Sequence, residues 1–201
     1  MIFRKKLFVY FSPVLFSIGI TALPLLTIKW IGLENSLYLM CLLEFILGLV
    51  VAVFIYKNTW RFGDKGTFFK CLSLIFFIQL IVYVKRDASV ESVQFSVSQI
   101  VPFLFTALIV PFYEECIYRG CLVDFFHGLF KSNLVIPVML SSVIFSGMHT
   151  QYSGILDFSV LFIVSLILSF ARFKSGSLLP SMLLHSSMNA FVLVLNFVSS
   201  K

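Results

Sequence analysis

Charge is what this chain has least of. Lys, Arg, Asp and Glu together make up 12% of its 201 residues, where soluble domains carry roughly 25%. That shortage excludes an ordinary water-facing surface. Histidine is scarce as well, at three residues. The four cysteines, Cys41, Cys71, Cys116 and Cys121, form no C-x-x-C pair and lie in or beside apolar stretches. They read as small core residues with neither a disulfide nor a metal role. No internal repeat and no low-complexity tail is found, and H-E-x-x-H is absent, which removes support for a thermolysin-like zinc helix. No A-x-A-like site follows the first apolar stretch, which is also too long for the core of a signal peptide, so it reads as a retained span.

What is present is apolar surface. The chain is 60% hydrophobic, with 25 Phe and a mean hydropathy of +1.03, and the solvent that suits it is lipid. Runs long enough to cross a bilayer recur at Leu7–Ile28, Ser36–Tyr56, Thr67–Val84, Phe95–Phe126, Leu134–His149, Phe158–Phe173 and Leu178–Val198. The fifth and sixth are slightly short of the ~17–25 residues a span needs. Unpaired backbone groups are too costly in hydrocarbon, so every span is expected to be helical. The fold class is therefore all-α, a polytopic transmembrane helical bundle of about seven spans, within a range of about six to eight. Residues 1–201 read as one integral membrane domain. The largest polar break, Lys85–Gln94, separates three spans from four, and the chemistry lies in the second group, residues 95–198.

Lys and Arg set the expected orientation. With the N-terminus inside, Arg4, Lys5, Lys6, Lys57, Arg61, Lys65, Arg119, Lys131, Arg172 and Lys174 fall on inside segments, and only Lys29, Lys85, Arg86 and Lys201 outside. A multi-pass membrane protein with a cytoplasmic N-terminus follows. The net charge of +6 is met by this bias and by anionic lipid headgroups, with no nucleic acid as partner.

Charges inside spans carry the information, because each costs at least about 2.5–3.5 kcal/mol at a helix centre. Glu44, Lys70, Glu114 and Glu115 stand within apolar runs, and Arg119 follows in the same long helix. Glu44 and Lys70 are expected to serve packing or to pair with each other. Glu115 and Arg119, four apart, share a helical face and can pair. Glu114 lies about 100° around the helix from Glu115, so it has no partner in its own helix. Pro111 removes a backbone hydrogen bond three residues earlier and is expected to kink the helix.

Two of the three histidines sit in apolar runs, His149 at the end of V-I-F-S-G-M-H and His185 within S-M-L-L-H-S-S-M-N; Asn189 follows His185 by one turn. His127 reads as interfacial. A carboxylate can take a proton from water and return it to a leaving amine, a neutral imidazole can orient that water, and a His–Asn pair can donate to an oxyanion. Glu114, His149 and His185 could alternatively hold zinc, although Asn is a poor zinc ligand. A metal-free site is the preferred expectation. The site needs His149, late in its helix, to meet His185, earlier in a parallel one, across a stagger approaching about 10 Å.

Three blocks then resemble the CPBP family, the CAAX proteases and bacteriocin-processing enzymes, also called the type II CAAX prenyl endopeptidase or Abi family. They are E-E-x-x-x-R at Glu114, Glu115 and Arg119, F-x-x-x-H at Phe145 and His149, and H-x-x-x-N at His185 and Asn189. The resemblance runs from about Val101 to Asn196. It implies an intramembrane endopeptidase in which Glu114 and His149 activate water and His185 and Asn189 form the oxyanion site. Glu115, Arg119 and Phe145 would support them. Its implied substrates are membrane-embedded or lipidated peptides and proteins, or peptide precursors, and its implied setting is a bacterial plasma membrane, including bacteriocin self-immunity. Two other readings compete: a non-catalytic membrane adaptor or immunity protein of the same fold, and a small transporter relaying protons through Glu114 and the histidines. The lack of a repeat weighs against the transporter.

Overall fold

A computed structural model describes residues 2–85, 100–131, 133–150 and 154–198. The described residues form helices and connecting turns, with no strand among them. The helices are α1 (Ile2–Thr21), α2 (Leu23–Phe54), α3 (Lys65–Lys85), a composite helix, α7 (Val135–Met148), α8 (Ile155–Ser175) and α9 (Leu179–Val198). The composite helix runs α4 (Ile100–Leu104), a π turn (Phe105–Ile109), α5 (Val110–Glu114), a π segment (Glu115–Leu122) and α6 (Val123–Leu129). The expected fourth span began at Phe95; residues 95–99 and most of the polar break lie outside the described residues.

Among the described residues, five stretches are long and apolar enough to cross a membrane, the first running from Leu7 to Phe54. That first stretch is a hairpin. As a straight helix it would hold Thr21 about 35 Å from Glu44 at 1.5 Å per residue, yet the Thr21 hydroxyl donates to Glu44 Oε1 at 3.3 Å and Ser17 does so at 2.9 Å. The reversal falls at Gly32, whose φ of 79° and ψ of 168° break the helix inside α2, a conformation that only glycine adopts cheaply. With the shorter apolar α7, the bundle has the seven expected segments. Many large apolar side chains face outward, Leu25, Trp30, Phe54 and Ile155 among the most exposed, as suits lipid contact.

Local chemistry explains the ends. Asp64 accepts the Thr67 backbone N–H at 2.6 Å and starts α3; hydrogen bonds from Thr67 hold this exposed carboxyl below its ordinary range. Gly176, left-handed at φ 65°, ends α8, and the N–H groups of Gly176 and Ser177 both return to the Arg172 carbonyl.

Packing relies on small residues, as it must where lipid offers no hydrophobic drive between helices. Ser141, Ser142 and Ser146 of α7 and Ser165 and Ser169 of α8 are buried, and Ser165 donates to Ser142 across the two helices at 2.9 Å. A Cβ on Gly48 would lie 2.8 Å from the Cβ of Tyr113 and 3.0 Å from its backbone, so Gly48 lets α2 lie directly against the turn preceding Glu114. Gly48→Val is expected to cost about 1–3 kcal/mol by overpacking and to lower the thermal midpoint of the detergent-solubilised protein; an unchanged midpoint would show that the two helices separate freely. One apolar cluster joins α1, α2, the π segment and the start of α9, and another joins α3, α8 and α9. The three N-terminal spans are thus built into the C-terminal group. Phe76 of α3 stacks on Phe191 of α9 at 4.2 Å.

A polar lock closes one end of the bundle. The Tyr56 hydroxyl donates to Asp124 Oδ2 and Arg172 Nη2 to Asp124 Oδ1, both at 2.7 Å. Arg61 N–H bonds Ser177 Oγ at 3.0 Å, so the segment after α2 is tied to the α8–α9 turn.

Candidate active site

Glu44 and Lys70 do not pair with each other. Glu44 is buried among hydroxyls of α1, whereas Lys70 is exposed near the start of α3. The remaining intramembrane charges converge. Arg119 Nη1 lies 3.1 Å from Glu115 Oε1 with both side chains fully buried, and the guanidinium sits 4.0 Å from the centre of the Phe145 ring. That ring neutralises part of the cost of burying a cation.

The helix here is not a plain α-helix. In the first π turn the Val110 N–H reaches back to the Phe105 carbonyl. In the same register the next donor would serve Thr106, but it is Pro111 and has no N–H. Asn189 Nδ2 takes its place, donating to the Thr106 carbonyl at 2.8 Å. Sequence reasoning expects a kink at Pro111. The structure answers the proline with wider π turns on both sides of α5 and a side chain from α9. Asn189, read from sequence as an oxyanion donor, has one amide hydrogen engaged in this bond; the second remains for the cleft. The only sequence signal for the Thr106 partner was Pro111 itself.

His149 follows the last turn of α7, and its Nδ1 lies 2.8 Å from the Phe145 carbonyl. A carbonyl only accepts, so Nδ1 carries the hydrogen and a neutral ring presents its Nε2 lone pair. Nε2 faces Glu114 Oε1 at 4.0 Å. His185, buried on α9, places Nδ1 2.9 Å from Glu115 Oε1 and Nε2 3.7 Å from Glu114 Oε2. Glu115 already serves Arg119 as an anion, so His185 Nδ1 donates to it. Glu114 thus has an imidazole nitrogen opposite each oxygen, at separations beyond direct hydrogen bonding. Its side chain and that of His149 keep 14% exposure, while Glu115 keeps none. The adjacent glutamates are sorted as their helical positions predict: Glu115 paired and sealed, Glu114 open.

The expected stagger between His149 and His185 is removed by the length of α7. Its 14 residues extend about 21 Å, short of the ~30 Å hydrocarbon core, so His149 ends up inside the bundle, level with His185. Phe145 touches both rings, with centroids 4.5 and 6.0 Å away. Glu114, Phe145, His149, His185 and Asn189 line one cavity of about 310 Å³. As placed, no group of three or more His, Cys, Asp or Glu among the described residues suits a metal ion. The two imidazoles face different oxygens of Glu114 rather than one common point. The donors of Glu114, His149 and His185 are therefore not gathered as a zinc set requires.

Sequence reasoning missed the network around Asp124. It also missed Ser141, which donates to the Tyr118 carbonyl of the π segment at 2.7 Å; neither residue stands out in an apolar run.

Comparison with known proteins meets this geometry. Residues 96–191 match the family described as type II CAAX prenyl endopeptidase Rce1-like. The chain is also 35% identical over 91 residues to the Escherichia coli "Uncharacterized 24.3 kDa protein", a match covering 45% of this chain and 42% of that one. The chain thus spans less than half the length of this curated relative. No solved structure matches.

Proposed function

We infer, from a chain whose residues 96–191 belong to the Rce1-like type II CAAX prenyl endopeptidase family, that it hydrolyses peptide bonds inside the membrane with Glu114 as the base. The observation that carries this reading is the Glu114 carboxylate, without a partner in its own helix and faced by two imidazole Nε2 atoms at 3.7 and 4.0 Å in a cleft.

The chemistry runs as general acid–base hydrolysis. The 4.0 Å gap between Glu114 and His149 is where the attacking water is held. Glu114 takes its proton while His149 Nε2 orients it, and the hydroxide attacks the scissile carbonyl carbon. His185, held through Nδ1 by the Glu115 carboxylate, turns Nε2 toward the oxyanion and donates to it when that nitrogen carries a proton, as the Asp of a serine-protease triad steadies its His. The free amide hydrogen of Asn189 is a second donor. Collapse of the tetrahedral intermediate breaks the C–N bond, and Glu114 returns its proton to the leaving amine. Arg119 acts through Glu115 and keeps it an anion. The proton-relay alternative needs the same groups but gives the Glu115–His185 bond no task.

Two measurements test the reading. In the membrane proteome of cells carrying wild type or Glu114→Ala, a precursor should accumulate only in the variant. Cleavage by the purified protein in nanodiscs should survive exhaustive chelation. One tightly bound zinc per chain, with activity lost on its removal and restored on its return, would replace glutamate with metal hydrolysis.

A further inference from the structure

The site has a direction. The polar lock of Tyr56, Asp124 and Arg172 and the Arg61–Ser177 bond mark one end of the bundle. From that end α3 and α9 run away, and α8 and the composite helix arrive. The cavity is lined by Gln79 and Val82 late in α3, Thr106 early in the composite helix, Asp157 at the start of α8, and Leu193 and Asn196 late in α9. Every one of these lies in the half of its helix remote from the lock. His149 also points its helix end that way. The cleft therefore runs from Glu114 toward the end opposite the lock.

Charge separates the same two ends. Exposed Lys57, Arg61, Lys65, Lys70, Lys131 and Lys174 surround the lock, and at the cleft end the exposed cations among the described residues are Lys29 and Lys85. Lys and Arg in short connections stay on the cytoplasmic side of a membrane.

The geometry points to an active site that opens on the extracytoplasmic face, and so to exported polypeptide as its substrate class rather than lipidated C-termini in the cytosol. This rests on the endopeptidase reading for its substrate half. The cleft suits a short extended peptide. About 310 Å³ is at the low end of the ~300–1,000 Å³ of enclosed binding sites. Val82, Val160 and Leu193 offer apolar walls, and Gln79 and Asn189 offer amides for a peptide backbone.

The test has two arms. Single cysteines are placed at the cleft end (Lys85→Cys, Ile155→Cys) and at the lock end (Lys57→Cys, Lys174→Cys), all exposed positions, with the wild-type chain as baseline. A membrane-impermeant maleimide on intact cells should label the first pair, and the second only after permeabilisation. The reverse pattern overturns the proposal. In the second arm, cut sites are mapped in every precursor that accumulates with Glu114→Gln. They should fall in extracytoplasmic segments or within the outer half of spans; cut sites in cytosolic C-termini overturn it. If labelling is as expected but no precursor accumulates, the endopeptidase reading falls and takes the substrate class with it, leaving the orientation standing.

Discussion

Purified Glu114→Gln protein should lose peptide-bond cleavage by roughly 10⁴-fold, the upper end of what one general acid–base group supplies, while its thermal midpoint stays within a degree or two of wild type. The upper end is expected because one carboxylate serves both proton transfers. The amide keeps the shape of the side chain, and the two imidazoles that face Glu114 stand 3.7 and 4.0 Å away, too far for a direct hydrogen bond whose loss would unsettle the fold. Activity assayed on a detergent-solubilised preparation, beside a melting curve of the same sample, separates the two effects. Undiminished cleavage would remove Glu114 from the chemistry altogether.

Its neighbour should behave differently. Glu115→Ala is expected to lower stability by about 3–5 kcal/mol, the cost of breaking a buried ion pair from one side, which for a chain of this size corresponds to about 10 °C in thermal midpoint. Arg119 would be left fully buried with only the Phe145 face beside it, and His185 would lose the acceptor on its Nδ1. Cleavage falls as well, through misplacement of His185. Glu115→Gln, which keeps an acceptor for His185 but no charge for Arg119, should recover part of the activity and little of the stability. A midpoint unmoved by either substitution would mean that the pair is hydrated or unformed.

The span pattern was legible because each crossing is a run of apolar residues between polar breaks, and lipid leaves the backbone no choice but helix. The first stretch follows the same logic: Lys29, Glu34 and Asn35 interrupt its apolar character, two spans are expected on either side of them, and the turn at Gly32 falls in that break. The grouping of Glu114, His149 and His185 was legible because charges and imidazoles are expensive in spans, so their presence is itself a signal. The wide π turns were not legible: they depend on which carbonyl each N–H reaches, and Asn189 was read as facing a substrate when part of its amide serves the carbonyl that Pro111 leaves free. The Tyr56–Asp124–Arg172 lock was equally hidden, since charges near the ends of spans cost little and so carry no signal.

The Phe145 ring has a consequence for how this chain can vary. It is bounded by the Arg119 guanidinium at 4.0 Å, by the ring of Tyr118 at 5.2 Å, and by the rings of His149 and His185. Four side chains from three helices thus share one wall, and a change in any of them alters the surroundings of the others. Double-mutant cycles among them will be strongly non-additive, each single substitution already carrying most of the damage of the pair. Inheritance must treat them as one character: drift can reach a different quartet only by passing through poor intermediates, whereas the apolar faces of the same helices can exchange leucine for phenylalanine one position at a time.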